Sequence, residues 1–443
     1  MIVKTLPQVH IETFGCQMNE SDSELVRSML KREGFVFTED RELADVVLVN
    51  TCAIRENAHN KIYAHLSELK ALKKHRPLVV GVLGCMAQNL KAAMAEKEPL
   101  IDVLAGPDAY RQLPSLLTTA LAAQEQGLSQ KGFALELSED ETYEGIMPDR
   151  DSGVNAWVTV MRGCDNFCSF CVVPYTRGRE RSRDPESVLC EARDAAVRGF
   201  KQITLLGQNV NSYRHGEWDF ATLISAVADT PGIERVRFTS PHPKDFPSGL
   251  IEAIATHPKV CKHIHLPLQA GSDRILERMG RTYTGTEYLA LVDRIRSAIP
   301  DVVLTTDIIC GFCSESDEDY QATARMVEQV QFDSAYIFKY SERKHTIAAR
   351  KYPDDIPDHV KGMRVARLVE IQRRITLERN RQYIGTALEV LIEGDATRSS
   401  SQGMGKTDGN ITVVWDKGTG HFQPGTLLTK HIFDASAATL YGE

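Results

Sequence analysis

Cysteine is the residue type with the clearest chemistry in this chain. Cys164, Cys168 and Cys171 have the spacing C-x3-C-x2-C and follow an apolar run, 156–161, that predicts a strand. Three thiolates this close on one loop can hold three corners of a cubane iron–sulfur cluster and leave its fourth iron open to another ligand. A zinc knuckle or a disulfide pair is the alternative. A zinc knuckle needs a fourth Cys or His at short range, and none follows Cys171 closely. We call these three residues the loop cysteines.

Three further cysteines occupy equivalent places in a repeating pattern. Cys16, Cys52 and Cys85 each come two or three residues after a predicted strand, and amphipathic helical stretches separate these strands. The predicted strands are 9–14, 45–49, 78–83 and 101–104, and the predicted helices are 21–33, 54–74 and 109–123. This alternation predicts a doubly wound parallel sheet, which binds ligands at the carboxyl ends of its strands. A single buried cysteine is more often a small apolar filler. Three in the same structural place predict a second three-thiolate iron–sulfur site, and we call them the strand-end cysteines.

The composition is that of an ordinary globular protein of two or three domains: 443 residues, 42% hydrophobic and 25% charged. No apolar run approaches the length of a membrane span, and residues 1–8 lack a signal-peptide pattern. We therefore expect a cytoplasmic protein with no membrane partner. Its ten cysteines then stay reduced, and their clustering favours metal binding over a disulfide framework. A formal net charge of −8 does not indicate a nucleic-acid binder, so only local basic patches could serve that purpose.

The remainder of the chain predicts an α/β core followed by a small β domain. Residues 125–150 are polar and aperiodic, which indicates a linker. Six strand–helix units then predict a central partial (β/α)6 barrel, whose chemistry we expect at the carboxyl ends of its strands. The predicted strands are 156–161, 202–206, 236–239, 263–266, 302–309 and 334–340, and the predicted helices are 185–198, 219–228, 245–256, 284–297 and 315–330. We place the domain boundaries at 1–124, 125–150, 151–383 and 384–443.

The last part of the chain contains a basic helical stretch followed by a β-rich segment. Residues 361–381 form one long basic helical stretch, which is either an RNA-binding surface or an ordinary solvated face. From residue 384 onward, short β-rich runs at 388–392 and 411–414 alternate with Gly- and Ser-rich turns, including 403–410. This pattern predicts a small all-β barrel.

These motifs together resemble a known family. The loop cysteines, with the aromatic Phe170 before the last of them, resemble the signature of radical S-adenosylmethionine enzymes. The order of the three domains resembles the methylthiotransferase branch of that superfamily, which ends in a TRAM barrel. The resemblance covers nearly the whole chain and is specific at 13–20 (TFGCQMNE), 50–58 (NTCAIRENA) and 171–183 (CVVPYTRGRERSR).

The residues after Cys16 distinguish the subgroups of this family. The subgroup that acts on threonylcarbamoyl-adenosine in tRNA usually reads Gly-Cys-Lys-Val-Asn here, and the subgroup that acts on an aspartate of a ribosomal protein reads Gly-Cys-Pro-Lys-Asn. This chain has Gly-Cys-Gln-Met-Asn at 15–19 and resembles the subgroup that acts on isopentenyl-adenosine in tRNA.

The resemblance implies a reaction: methylthiolation of C2 of N(6)-isopentenyl-adenosine next to the tRNA anticodon. It implies two 4Fe-4S clusters, one on each set of three cysteines, and two S-adenosylmethionine molecules per turnover. One of these donates a methyl group, and the other is the radical source. A carbon radical suits a strong C–H bond that no side-chain acid or base can break. The auxiliary cluster, held by the strand-end cysteines, would supply the sulfur.

The resemblance also implies partners and cofactor-binding residues. The partners are the anticodon stem-loop of tRNA, a reductant protein such as a flavodoxin or ferredoxin, and a sulfur-delivery or cluster-assembly protein. We expect no catalytic side chain beyond the cluster cysteines. The expected S-adenosylmethionine-binding residues lie in the C-x3-C-x2-C loop or at strand ends: Phe170, Gly207, Gln208, Asn209, Ser240, Gln269 and Asp307.

Basic residues near the loop are candidates for binding RNA phosphates. They are Arg177, Arg179, Arg181 and Arg183, and the basic helix 361–381 adds more. From residue 385 onward the barrel has four Lys or Arg against seven Asp or Glu. It therefore cannot bind RNA by bulk charge and would use Arg398, Lys406 and Trp415.

The sequence departs from the family pattern at two loops. The family commonly has Gly-Phe-Pro-Gly-Glu where this chain has Gly-Phe-Cys-Ser-Glu at 311–315, and a Pro-Gly-Thr run where this chain has Lys-His-Thr at 344–346. Because Pro and Gly fix turn geometry, we expect altered loops and an unchanged reaction class.

Three alternative functions remain at this point. The first is a methylthiotransferase acting on threonylcarbamoyl-adenosine in tRNA. The second is a non-catalytic iron–sulfur regulator that binds RNA, which leaves the six-unit core unexplained. The third is a zinc hydrolase, which would need a His-rich ligand set that does not accompany the cysteines.

Overall fold

The structure is a computed structural model that describes residues 6–53, 56–418, 420 and 422–443, and only the backbone of residues 56–61 and 92. Ile54 and Arg55 of the 50–58 motif lie outside the described residues. The strands are β1 (Gln8–Phe14), β2 (Val36–Phe37), β3 (Val46–Thr51), β4 (Val79–Gly84), β5 (Val103–Ala105), β6 (Gly132–Ala134), β7 (Asn155–Thr159), β8 (Met161–Arg162), β9 (Arg181–Ser182), β10 (Gln202–Leu206), β11 (Arg214–His215), β12 (Trp218–Asp219), β13 (Arg235–Phe238), β14 (His263–His265), β15 (Val303–Cys310), β16 (Ser334–Lys339), β17 (Ala387–Ala396), β18 (Ser399–Thr407), β19 (Thr412–Asp416), β20 (Leu427–Ala435) and β21 (Leu440–Gly442).

The helices follow the same chain order. They are α1 (Gln17–Arg32), α2 (Glu56–His75), α3 (Cys85–Leu90), α4 (Ala92–Lys97), α5 (Leu113–Glu125), α6 (Val173–Arg177), α7 (Pro185–Val197), α8 (Phe220–Ala228), α9 (Ser248–Thr256), α10 (Asp273–Arg278), α11 (Gly285–Ala298), α12 (Asp317–Val330), α13 (Ile347–Lys351) and α14 (Asp358–Arg381). None of the helices in the described ranges has both the length and the apolar character that crossing a membrane needs.

The described residues divide into two compact units. Unit 1 comprises the described residues of 1–151, 161–167 and 171–183, and unit 2 comprises 152–160, 168–170 and the described residues of 184–443. The structure therefore assigns much of the C-x3-C-x2-C loop to unit 1, although we expected the whole loop in the central domain.

Unit 1 contains the predicted parallel sheet, with strand order β2-β1-β3-β4-β5-β6. One face of the sheet packs on α1 and α5 through side chains such as Leu25 and Leu117. The other face packs on α2, α3 and α4 through residues such as Leu66 and Met86. Because both faces are covered, every residue of β3 and β4 is buried, which explains their continuous apolar sequences.

The segment predicted as a linker is partly ordered structure of unit 1. Residues 132–134 form β6, which pairs in parallel with β5 and lengthens the sheet. Tyr143 and Ile146 are buried in the core beneath α1 and α5. A strand of three residues shows no periodicity, so the polar composition around it concealed it.

Unit 2 contains six parallel strands, each followed by one or more helices, as predicted. They form two three-stranded sheets, β7-β10-β13 and β14-β15-β16. A parallel bridge joins Val236 of β13 to Val260, which lies three residues before β14, so the six strands follow chain order in a partial (β/α)6 barrel.

The end of the chain forms the predicted all-β barrel, closed in the order β17-β18-β19-β21-β20. The prediction of turns at 403–410 is wrong for 403–407, which belong to β18. The glycines there permit close packing: a Cβ on Gly403 would lie 2.6 Å from the Trp415 ring, and one on Gly405 would lie 2.3 Å from the carbonyl oxygen of Leu391. Glycine occurs at these strand positions because the barrel core leaves no room for a side chain. The predicted fold class is confirmed in its three parts.

Candidate cluster sites

The strand-end cysteines meet at one edge of the unit 1 sheet. The register of the parallel strands places Phe14 opposite Thr51, and Thr51 opposite Gly84. Neighbouring strands lie about 4.8 Å apart, so the residues that follow them begin side by side. Cys16 is the N-cap of α1, Cys52 follows β3, and Cys85 is the first residue of α3. The fold therefore brings these three cysteines to one edge of the sheet, although the chain separates them widely.

A pair of buried asparagines holds the three strand ends in place. Asn19 donates from Nδ2 to Oδ1 of Asn50 at 2.9 Å, and Asn50 returns a 2.9 Å hydrogen bond to the Asn19 carbonyl. The hydroxyl of Thr51 donates to the carbonyl of Leu83 at 2.8 Å. These bonds link α1 to β3 and β3 to β4, so they fix the relative positions of the elements that carry the cysteines.

The sulfur atoms differ in their electrostatic surroundings. A hydrogen bond from the Cys52 thiol lowers the pKa of Cys16 to about 6 against the effect of burial, and Arg177 and backbone N–H groups near the helix start add to this lowering. Burial raises the pKa of Cys85, although Arg177 opposes that rise. Cys52 and Cys85 are 2% and 5% exposed, and Cys85 packs against Ala53 and Val172. Largely buried thiols at one sheet edge suit a buried cluster whose ligands are thiolates.

Arg177 contributes a charged contact to this site. Its Nε donates to Sγ of Cys85 at 3.2 Å, and its Nη2 pairs with Asp22 at 2.7 Å. Arg162 pairs with the other carboxylate oxygen of Asp22, also at 2.7 Å. Burial opposes ionisation of Asp22, but Arg177 and Arg162 outweigh it and hold the pKa of that carboxyl below its usual value. The sequence predictions missed Asp22 and Arg162.

The expected phosphate-binding role is wrong for most of the arginines near the loop. Arg177, Arg181 and Arg183 are buried, and Arg181 pairs with Asp108 at 2.8 Å. Arg179 has an exposed side chain and pairs with Asp165 at 3.2 Å. A run of arginines in a sequence does not reveal which of them find buried carboxylates.

Two of the loop cysteines lie in unit 1. The Sγ of Cys171 accepts the backbone N–H of Val173 at 3.4 Å, and that of Cys164 accepts the side-chain amide of Asn166 at 3.6 Å. Gly163 has φ of 81°, and a Cβ there would lie 1.8 Å from the carbonyl oxygen of Arg179. Only glycine fits this entry to the loop.

The third loop cysteine, Cys168, lies in unit 2 with Ser169 and Phe170. Arg281 donates from Nη1 to the Cys168 sulfur at 3.3 Å. Ser169 is fixed by 2.7 Å hydrogen bonds from its N–H to the carbonyl of Met279 and from its hydroxyl to the carbonyl of Arg278. Phe170 is half-buried. Hydrogen bonds within unit 2 therefore fix the backbone that follows Cys168.

The expected cofactor residues of unit 2 lie at carboxyl ends of barrel strands. Gly207, Gln208 and Asn209 follow β10, and Asn209 is buried with its Nδ2 donating to Asp245 at 3.1 Å. Ser240 follows β13, has φ of 61°, and accepts the N–H of Val210 through its carbonyl at 3.2 Å. The structure therefore brings the β10 and β13 ends together.

A second pair of expected cofactor residues consists of Gln269, which follows β14, and Asp307, which lies within β15. The N–H of Gln269 donates to the carbonyl of Asp307 at 2.8 Å, and Gln269 has φ of 70°. Its buried Oε1 has no hydrogen-bond partner among the described residues. Asp307 pairs with Nε2 of His265 at 3.2 Å. Strained backbone and an unpartnered buried amide oxygen are features of ligand-binding sites.

The inner face of this partial barrel is unusually polar. A closed (β/α)8 barrel fills its interior with branched apolar side chains. Here one face of β14 carries His263 and His265, which are two residues apart in the strand, and Thr305 lies within hydrogen-bond distance of both. Tyr336, in register with Asp307, is 59% exposed, and Phe338 on the same face is 43% exposed. This face offers hydrogen-bonding groups and aromatic rings to a ligand.

Hydrogen bonds and an ion pair hold the two loops that depart from the family pattern in defined conformations. In 311–315, Glu315 is buried, accepts the N–H of Gly311 at 2.7 Å and pairs with Arg364 at 2.8 Å, while Cys313 is fully buried. In 344–346, Thr346 caps α13 by accepting the N–H of Ala349.

The other candidate RNA contacts are divided between buried and exposed positions. Trp415 is 2% exposed in the barrel core, so its expected RNA contact is wrong. In α14, Lys361 and Arg364 are buried in ion pairs, whereas Arg367, Arg373 and Arg381 are exposed. Arg398 is exposed, and Lys406 is half-buried with its Nζ donating to Thr412.

The donor sets fit iron–sulfur clusters in their chemistry. Among the described residues, no three or more His, Cys, Asp or Glu side chains are arranged to hold a metal ion. The strand-end cysteines supply three soft thiolate donors. Each would bind one of three irons of a 4Fe-4S cluster. Next to them, buried nitrogens of Arg162 (Nε and Nη1) and Arg177 (Nη1) have no hydrogen-bond partner among the described residues. Unpartnered buried donors of this kind fit an anionic group.

Comparison with known proteins decides the family. Residues 8–106 match the uncharacterized protein family UPF0004, 158–327 match the Radical SAM superfamily, and 381–443 match the TRAM domain. The tRNA-2-methylthio-N(6)-dimethylallyladenosine synthase of Porphyromonas gingivalis is 48% identical over 98% of this chain and 94% of its own. The synthase of the same name from Chlorobium luteolum is 46% identical over 98% of this chain and 96% of its own.

The chain belongs to the tRNA-2-methylthio-N(6)-dimethylallyladenosine synthase family. It is a radical S-adenosylmethionine enzyme whose cofactors are 4Fe-4S clusters and S-adenosylmethionine. The relatives carry the name that the Gly-Cys-Gln-Met-Asn motif predicted, and the resemblance to methylthiotransferases is confirmed.

Solved structures share the synthase family's fold at low sequence identity. The radical S-adenosylmethionine methyltransferase TsrM from Kitasatospora setae has a TM-score of 0.57 and 14% identity, over 78% of this chain and 77% of that chain. The cobalamin-dependent radical enzyme OxsB has a TM-score of 0.54 and 14% identity, over 73% and 52% of the two chains. These likenesses support the α/β architecture alone.

Proposed function

We propose that this synthase methylthiolates C2 of N(6)-isopentenyl-adenosine next to the anticodon of tRNA. The observation that carries the proposal is the meeting of the strand-end cysteines at one sheet edge, in a chain that also has the C-x3-C-x2-C loop. Making a radical needs one cluster with an open iron. A second three-thiolate site gives the same chain a place for the sulfur that the product acquires.

Each set of cysteines has its own task in this proposal. The loop cysteines hold the cluster that binds S-adenosylmethionine, and the strand-end cysteines hold the auxiliary cluster. When bound, these groups supply a carbon radical, a methyl group and a sulfur atom. The protein contributes position and exclusion of water: the strand-end cysteines lie among buried apolar residues such as Ala53 and Val172.

The remaining cofactor residues bind S-adenosylmethionine at the barrel's strand ends. Backbone groups of Gly207, Gln208 and Asn209, which follow β10, receive the methionyl amino group. The hydrogen bond from the Asn209 side chain to Asp245 holds this segment in place. Phe170, Ser240, Gln269 and Asp307 complete this binding set. The buried Oε1 of Gln269, an amide acceptor with no hydrogen-bond partner in the described part of the chain, supports the assignment best.

The substrate is an anticodon stem-loop, and exposed cations give it affinity. We assign the phosphate contacts to Arg367, Arg373 and Arg381 on α14 and to Arg398 on the C-terminal barrel. A reductant protein such as a flavodoxin or ferredoxin supplies electrons, and a sulfur-delivery or cluster-assembly protein restores the auxiliary site. The cytoplasm, where tRNA is modified, is the proposed location. The domain limits at 124, 150 and 383 remain predictions of the same kind.

The test uses the full chain, reconstituted anaerobically and supplied with S-adenosylmethionine and a reductant. Isopentenylated tRNA should give a 2-methylthio nucleoside by mass, together with 5′-deoxyadenosine. The same tRNA without the isopentenyl group is the matched control. A 2-methylthio product formed from threonylcarbamoyl-adenosine instead would contradict the substrate. Failure to form 5′-deoxyadenosine would favour the non-catalytic regulator.

A further inference from the structure

A buried arginine lies against one of the cysteines assigned to the auxiliary cluster. Arg177 ends α6, which packs on α3, the helix that begins with Cys85. Its Nε donates to the Cys85 sulfur at 3.2 Å, and the side chain is 3% exposed. Hydrogen bonds from charged donors to charged acceptors are about twice as strong as neutral ones. The contact is therefore stronger with a thiolate than with a neutral thiol.

The charges around Arg177 do not balance within its immediate cluster. Asp22 pairs with both Arg162 and Arg177, and all three side chains are 0–3% exposed. Two guanidinium groups against one carboxylate leave one buried positive charge, and the neighbouring ion pair of Arg181 with Asp108 does not change this excess because it adds one charge of each sign. Leaving a buried charge without a partner costs several kcal/mol. Among the described residues, Nη1 of Arg177 and Nε and Nη1 of Arg162 have no hydrogen-bond partner, which agrees with this imbalance. The Arg162 guanidinium also lies over the Tyr143 ring, 4.6 Å from its centroid.

An anionic cluster at the strand-end cysteines would restore the balance. A cubane core of charge 2+ bound by three thiolates is a monoanion, and one-electron reduction makes it a dianion. Hydrogen bonds to cluster sulfurs and nearby positive charge stabilise the more negative state. Arg177 supplies both the hydrogen bond and the positive charge at the Cys85 sulfur.

The other set of cysteines has an arginine with a different environment. Arg281 donates to Cys168 at 3.3 Å, but its other nitrogens donate to the Tyr283 hydroxyl and the Pro267 carbonyl, both at 3.0 Å. No carboxylate takes part in these three contacts. The arrangement of Arg177 with Asp22 and Arg162 is therefore particular to the strand-end site.

We propose that Arg177 is a positioning residue and charge partner of the auxiliary cluster, holding the Cys85 thiolate and raising the reduction potential of the cluster. This inference rests on the proposed function, because it requires a cluster at the strand-end cysteines. The carboxylate of Asp22 sets the orientation of the guanidinium, so that Nε faces Cys85 while Nη2 faces Asp22.

The experiment isolates the auxiliary cluster in a parent variant whose loop cysteines are all replaced by Ala. Arg177→Gln and Arg177→Lys are made in that parent, with Arg179→Gln, whose exposed side chain lies two residues away, as the matched control. Iron and sulfide content and the midpoint potential, followed by electron paramagnetic resonance, are measured for each. We expect Arg177→Gln to favour the oxidised cluster at least tenfold, a negative shift of about 59 mV for one electron. Arg177→Lys should shift less, and Arg179→Gln should match the parent.

Four other outcomes are decisive. A loaded Arg177→Gln variant with the parent's potential would overturn the inference, whereas loss of the cluster from Arg177→Gln with retention in Arg177→Lys would support it. If both variants fail to fold, the parent is labelled with ¹⁵N-arginine, and pulsed resonance should detect a nitrogen coupled to the reduced cluster. Absence of that coupling would overturn the inference. A parent that binds no cluster would refute the proposed function itself, and this inference with it.

Discussion

The loop cysteines lie within residues 164–171, whereas the strand-end cysteines are spread over residues 16–85 and meet only through the fold. The first set depends on the conformation of one loop. That loop begins at Gly163, where the positive φ and the nearby Arg179 carbonyl leave no room for a Cβ. The second set depends on the register of three strands, on the Asn19–Asn50 pair and on the buried charges around Asp22. A short motif and a whole sheet thus provide the same number of thiolates. Damage to each should therefore have different consequences.

The largest effect should follow from removing the charge of Asp22. Asp22→Asn removes the carboxylate that pairs directly with both buried arginines, Arg162 and Arg177, and breaking such a pair costs about 3–5 kcal/mol. Urea denaturation should show this loss, and iron analysis should show a depleted auxiliary site. Asp165→Asn is the matched control because Asp165 pairs with the exposed Arg179, and it should cost about 0–1 kcal/mol. Equal losses in the two variants would remove the proposed difference between the sites.

The sequence was sufficient to predict that Cys16, Cys52 and Cys85 come at the ends of neighbouring strands, but insufficient to predict Asp22. Strand–helix alternation determines that the strands are parallel, and parallel strands end at one edge, so the positions of Cys16, Cys52 and Cys85 follow. The partner of Arg177 lies 155 residues away, and local charge patterning carries no information at that distance. The same reason explains why Arg181 and Trp415 were expected at an RNA surface. Gly403 and Gly405 were taken for turn residues because the ring that covers Gly403 comes from another strand.

An intermediate effect should follow from a single methyl group in the loop. Gly163→Ala must accept φ of 81° and a clash with the Arg179 carbonyl, whereas Gly34→Ala must accept φ of 86° with nothing within 4 Å. The clash should cost about 1–3 kcal/mol beyond the control. Formation of 5′-deoxyadenosine should fall in Gly163→Ala and stay normal in Gly34→Ala. A Gly163→Ala enzyme with normal cleavage of S-adenosylmethionine would show that the loop tolerates another backbone.

The smallest effect concerns the strand-end thiols in protein free of clusters. The Cys52 hydrogen bond lowers the pKa of Cys16 to about 6, while burial raises that of Cys85. Because the thiolate is the reactive form, alkylation of Cys16 should rise as pH increases through about 6. Cys85 should react only at higher pH. Peptide mapping after iodoacetamide treatment measures both rates. Cys16 reacting with the profile of an ordinary thiol, near pH 8.5, would contradict this order.

The central claim is that the two sets of cysteines hold two clusters with separate tasks. The most direct measurement compares two variants, one with all strand-end cysteines replaced by Ala and one with all loop cysteines replaced, alongside Cys190→Ala, an exposed thiol outside both sets. Each triple variant should lose about half of the parent's iron, since one of two clusters remains. The variant without strand-end cysteines should still form 5′-deoxyadenosine but no methylthio product, and the variant without loop cysteines should form neither. Full iron content and methylthio product without the strand-end cysteines would contradict the account.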